Sequence, residues 1–208
     1  MNDRTDQLAD VTERYARYSR SAGGLSLVIG SILMVLAFAL GPAAAEAPWL
    51  RLVLISAPVL WLLSKELLRI FYYQREGAAV ERVSDKLRRQ HRGMVIYLAA
   101  VSLLILLGNL FLGGLEQWDW PRIGYLVFVL ALPLIAARWF WSVSDFLVGV
   151  LLFCQAAIVT GGGHYPGYWL LLALLYAAIA VPVGLREHRD YLRLRREIEQ
   201  LAAPAART

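Results

Sequence analysis

Few residues of this chain have the type and spacing to do chemistry, and the densest group is Lys65, Glu66 and Arg69. They close the apolar run that begins at Trp49. Glu66 and Arg69 stand one helical turn apart, where opposite charges pair. If the run ends at Ser64, the three side chains reach out to a polar interface. If it continues to Tyr73, they lie inside the apolar layer, where an ionisable group is a functional site by default. The shorter run is the favoured reading. Asp145 follows the segment ARWFWSVS and is expected to pair with Arg138, anchoring a short turn. Asn109 and Gln155, with Ser102 and Thr160, are the uncharged polar residues of the later apolar runs, where such groups mostly hydrogen-bond a neighbouring helix. Lys65, Glu66, Arg69, Asn109, Asp145 and Gln155 make up the candidate intramembrane polar site.

Catalytic signatures are missing from the sequence. His164 in TGGGHYPGYW invites a metal reading, but a metal needs several converging ligands, and a turn closed by Pro166 and Gly167 is the stronger reading. His188, Arg189 and Asp190 spell the HRD of a kinase catalytic loop. That motif needs Asn five residues past the Asp, and position 195 is Arg. No HExxH, GxSxG or phosphate-binding loop occurs. Cys154 is the single cysteine, which excludes an internal disulfide and a CxxC site. No catalytic residue, cofactor or metal is assigned.

The elements that must position these residues are apolar helices. At 59% hydrophobic residues, with the charges clumped between long uncharged tracts, the chain is too apolar for a soluble domain of its size. Six runs approach the length needed to cross a bilayer: 22–40, 49–64, 94–112, 121–137, 139–160 and 168–185. Their apolar residues are continuous, which favours helices over a barrel. Pro58, Pro133 and Pro182 fall inside runs, where membrane helices tolerate proline. Ser26 with Gly30, and Ala173 with Ala177, have the small-residue spacing that lets helices approach closely.

Charge sets the expected orientation. Arginines crowd the segment before the first run, the 74–93 loop and the segment after the sixth, whereas the alternate links carry acids or no charge apart from Arg122. The positive-inside rule therefore places both termini and the 74–93 loop in the cytoplasm. Trp49, Trp118, Trp120, Tyr168 and Trp169 fit an outer aromatic belt, and Tyr72, Tyr73, Trp139 and Trp141 an inner one. The first run has signal-peptide features, but the long, acid-containing stretch before it favours an uncleaved anchor.

The basic segments are also patterned. Val80, Val83 and Leu87 recur at helical spacing, as do Tyr191, Leu194, Ile198 and Leu201, and Leu8, Val11, Tyr15 and Tyr18. Such short amphipathic helices need a cover for their apolar stripe. Packing on one another, lying on lipid and docking a partner or second copy all supply one. Val80, Val83, Leu87, Tyr191, Leu194 and Ile198 are the candidate partner-contact residues.

The expected fold is thus all-α, a polytopic bundle of six transmembrane helices with short amphipathic cytoplasmic helices. A tail at 1–21, a membrane domain at 22–185 and a tail at 186–208, ending in a disordered segment, complete it. The excess of Arg over Lys, with abundant Ala and Leu, points to a bacterium of high GC content and hence to its inner membrane. The expected role is non-enzymatic: accessory, regulatory or sensing, with membrane lipid around it and a cytoplasmic protein partner or second copy. Nucleic acid is not an expected partner. The alternative is a small transporter or channel subunit with polar residues lining a cavity between helices. A lipid-modifying enzyme is the least favoured reading, for want of an acid/base pair.

Overall fold

The computed structural model describes residues 24–73, 85–112 and 120–202, with side chains for 24–73, 88–111 and 120–197. Helix α1 is Leu25–Leu40, followed by a 3-10 turn at Pro42–Ala45. Helix α2 is Pro48–Leu68 and ends in a π turn, Arg69–Tyr73. Then come α3 at Asp85–Leu112, α4 at Trp120–Trp139, α5 at Val143–Thr160 and α6 at Tyr168–Ala202. The protein is all-helical, and the described residues include no strand.

Four helices, α3 to α6, are long and apolar enough to cross a membrane. Helix α1 is shorter, at 16 residues, and α2 carries Arg51, Lys65 and Glu66. Two helices overrun their expected limits. The basic stretch before Met94 is the first part of α3, and α6 continues unbroken past Leu185, as its apolar spacing suggests.

The helices pack as three antiparallel pairs. In α1 and α6, Gly24 meets Gly184 at one end and Phe38 stacks on Trp169, ring centres 6.4 Å apart, at the other. In α2 and α5, Lys65 meets Asp145 and Arg51 meets Thr160. In α3 and α4, His91 meets Ala136 and Asn109 meets Arg122. Helix α5 also packs on α1 and α4, so it lies at the centre. Met34, Trp61, Phe140, Val148 and Leu152 form the middle of the core.

Glycine permits the closest approaches. A Cβ on Gly30 would lie 2.5 Å from both the Trp61 ring nitrogen and the Val148 side chain. The Ser26–Gly30 spacing therefore does what the sequence suggests, letting α1 seat on α2 and α5. A Cβ on Gly184 would come 2.6 Å from the Gly24 carbonyl oxygen, a backbone atom that has no rotamer to give way.

The outer surface is apolar. Phe111 and Leu134 are 82% and 75% exposed, and α1 and α2 present Ile32, Leu36, Leu52 and Leu63 in the same way. An uninterrupted apolar surface of this extent is unstable in water and fits lipid.

Gly184→Val should force α6 off α1 and cost about 1–3 kcal/mol, as overpacked sites do. Gly108→Ala, where a Cβ meets nothing within 4 Å, should be neutral. Thermal unfolding of the two purified variants in detergent makes the comparison.

Candidate functional site

The corner between α4 and α5 gathers the two buried charges among the described residues, Lys65 and Asp145. A helix end leaves its last carbonyls without backbone partners, and within a bundle something else must reach them. At the end of α4 two side chains, Lys65 and Trp141, do so, and His91 joins the Phe140 amide on a third carbonyl. Lys65 Nζ donates to the Trp139 carbonyl at 2.8 Å, Trp141 Nε1 to the Arg138 carbonyl at 3.1 Å, and His91 Nε2 lies 3.2 Å from the Ala136 carbonyl. A carbonyl only accepts, so His91 carries its proton on Nε2 in this contact. Its ring is stacked on Trp141 at 4.1 Å and 7°.

The start of α5 completes the corner. Ser142 has extended backbone angles and accepts a hydrogen bond from the Asp145 amide at 3.0 Å, the geometry of a helix N-cap. Asp145 thus occupies the first turn, where a negative charge is favoured by the helix dipole. Its Oδ2 lies 2.7 Å from Lys65 Nζ, and both side chains are only 4% exposed. The ammonium also sits 5.8 Å from the Trp61 ring centre. Trp61 donates to the Ser26 carbonyl at 3.0 Å and its ring packs on Phe140 at 5.7 Å. One lysine therefore joins the negative end of α4, an acid at the positive end of α5, and its own helix α2.

Two expectations are corrected here. Asp145 pairs with Lys65 rather than with Arg138, which is exposed and lies 5.9 Å from the Trp139 ring centre. Lys65 does not reach out to an interface, because its partners are inside the bundle. The expected Glu66–Arg69 pair is present, with both side chains half-buried and Arg69 donating to the carboxylate.

The other polar residues lie elsewhere. Gln155 is buried and donates to the Ala37 carbonyl at 2.9 Å, tying α5 to α1, while its Oε1 has no partner. It lies ten residues beyond Asp145, about 15 Å along the helix. Asn109 binds the Ile105 carbonyl at 2.9 Å, and Arg122 donates to the Asn109 carbonyl at 2.9 Å. Ser102 donates to the Val129 carbonyl at 2.8 Å. The structure therefore brings Lys65 and Asp145 together and leaves Asn109 and Gln155 at separate helix contacts.

Sequence reading passed over Arg51. It donates to the Val159 and Thr160 carbonyls at 3.0 and 2.6 Å, closing the far end of α5. Arg122 plays the same part at the end of α3. The available signal was position: each arginine stands within the first turn of an apolar helix.

A second cluster lies beyond the core. Tyr73 and Tyr191 are buried edge to face at 4.5 Å, and the Tyr73 hydroxyl is 2.9 Å from His188 Nδ1. Tyr191 is thus covered by the chain itself rather than offered to a partner, and Tyr73 is buried rather than part of an interfacial belt. Leu194 is half-buried. Val80 and Val83, and the side chains of Leu87 and Ile198, lie outside the described residues.

Comparison with known proteins adds nothing to this geometry: no family model matches the chain, and no curated protein or solved structure is similar to it.

Lys65→Met should destabilise by about 3–5 kcal/mol, because it leaves Asp145 buried without a counter-charge. Combining it with Asp145→Leu should recover most of that loss, as apolar replacement of buried pairs does elsewhere. Denaturation of the two single variants and the double variant yields the coupling directly.

Proposed function

We propose that the chain crosses a bacterial inner membrane six times, with both termini and the 74–93 loop in the cytoplasm. We further propose that it acts without catalysis, as an accessory, regulatory or sensing protein whose cytoplasmic helices contact a protein partner or a second copy. The observation that carries this reading is α6. At 35 residues it is about 52 Å long. Its uncharged part ends at Leu185, and the same helix then continues as a charged segment. A shift of α6 inside the membrane would arrive unattenuated at Leu194 and Ile198.

Six crossings are supported by the pairing of the helices. Each antiparallel pair has one contact at either end, so the ends of all six helices fall at two levels. The starts of α2 and α4, bearing Arg51 and Arg122, share the level opposite the basic segments. Helices α1 and α2 expose apolar side chains as the four longer-run helices do.

The transport alternative asks for polar groups around one shared cavity. Asn109, Asp145 and Gln155 are instead each bonded at a different helix contact.

Two outcomes are expected. With Cys154 replaced by Ala, a membrane-impermeant maleimide applied to intact cells should label His164→Cys and spare Arg88→Cys. Labelling at position 88 ends the proposed orientation. Charges placed on the stripes, as in Leu87→Glu with Leu194→Glu, should change the oligomeric state or the set of co-purifying proteins. If neither changes, the contact role falls.

A further inference from the structure

Glu187 is a half-buried acid of this end that the contacts above leave unused. It lies two residues past Leu185, beyond the uncharged part of α6, and its side chain is half-buried. It is pressed against the start of α1: a Cβ on Gly24 would come 2.8 Å from Glu187 Cβ. Among the described residues Glu187 has no hydrogen bond or ion pair.

Its surroundings are negative. Asp145 of α5 faces it, and Asp190 follows on α6 itself. Among the described residues the cations beside these acids are already engaged: Lys65 of α2 with Asp145 and the Trp139 carbonyl, and Arg193 of α6 with Asp190 at 3.9 Å. Tyr176 donates to the Ser144 carbonyl at 3.3 Å, and His188 is turned to Tyr73. At the neighbouring Gly184, helix α1 brings the Gly24 backbone and the apolar Val28 side chain. Burial first, then the charges of Asp145 and Asp190, holds the Glu187 carboxyl above the usual glutamate range.

We propose that Glu187 is a proton-operated latch on α6: neutral, it lets the helix lie against α1 and α5, and ionised, it releases the segment beyond Leu185. The released proton passes to cytosolic water, and the new carboxylate is repelled by Asp145. Beyond the Gly24–Gly184 contact, the described residues that hold this segment are the Tyr73, His188 and Tyr191 cluster with Leu25 and Leu68. Because the closed arrangement binds the proton more tightly, closure has its full advantage below the ordinary glutamate value. That advantage is lost as pH rises through the elevated value. The latch does not depend on there being a partner.

Spin labels at Leu67→Cys on α2 and Glu197→Cys on α6, in a Cys154→Ala background, report the gap between the two helices in lipid vesicles. Both positions are exposed. Between pH 4.5 and 8 the full-length protein should gain a longer-distance population as pH rises. Glu187→Gln, which keeps the shape and cannot ionise, should lose that population and hold the short distance throughout. His188→Gln should titrate as the parent does. A Glu187→Gln protein that still lengthens with pH, a transition abolished by His188→Gln, or a parent whose distance ignores pH would each overturn the latch.

Discussion

A helix ending within a bundle leaves its last carbonyl oxygens without backbone partners, and the arrangement of this protein follows from how those oxygens are met. At the end of α4 they are met by Lys65 and Trp141, with His91 on a third carbonyl beside the Phe140 amide. At the end of α5 they are met by Arg51, and near the end of α3 by Arg122. Every one of these side chains belongs to a different helix or to the connecting turn. Satisfying the backbone is therefore the same act as fixing which helices are neighbours, something apolar contact alone does weakly between helices in lipid.

Lys65 carries the heaviest part of that task. An ammonium removed from water costs several kcal/mol, and attraction to one carboxylate seldom recovers all of it. Here the ion also meets a helix C-terminal carbonyl and a tryptophan face, so it is contacted from three directions. Asp145 in turn is favoured by the N-terminus it sits on. The pair adds little net stability over an apolar pair of equal volume. Its value is selectivity: a register in which Lys65 misses Asp145 leaves two buried charges alone, and such alternatives are excluded.

Most of the element order could be read from the sequence, because apolar runs approaching the length of a bilayer crossing have few other uses. The 3, 4, 3 spacing after Leu185 likewise foretold that α6 continues. What could not be read was partnership. Asp145 has Arg138 near it in sequence, but seven helical residues with a break between them turn the two side chains apart. Lys65, eighty residues earlier, is brought in only when α2 lies antiparallel to α5. Arg51 drew no reading at all, since its meaning depends on the end of a helix more than a hundred residues away. Tyr191 fell on a regular stripe, and the stripe is real, but Tyr73 fills the place that a partner was expected to take.

The two ends of the bundle are built differently, and this decides where it can yield. At the level of Arg51 and Arg122, guanidinium groups fork onto backbone carbonyls, and Phe38, Tyr165 and Trp169 pack around the tip of α6. Moving α6 there means separating stacked rings and leaving their apolar faces without contacts. At the level of Lys65 the contact between α6 and α1 rests on two glycines, and beyond them on the Tyr73, His188 and Tyr191 cluster. Between the two lies a carboxyl without a counter-charge among the described residues. Were the proposed Glu187 latch to open, α6 would pivot about its other end. The largest displacement then falls on the charged segment beyond Leu185, the part of α6 that would meet the cytoplasm.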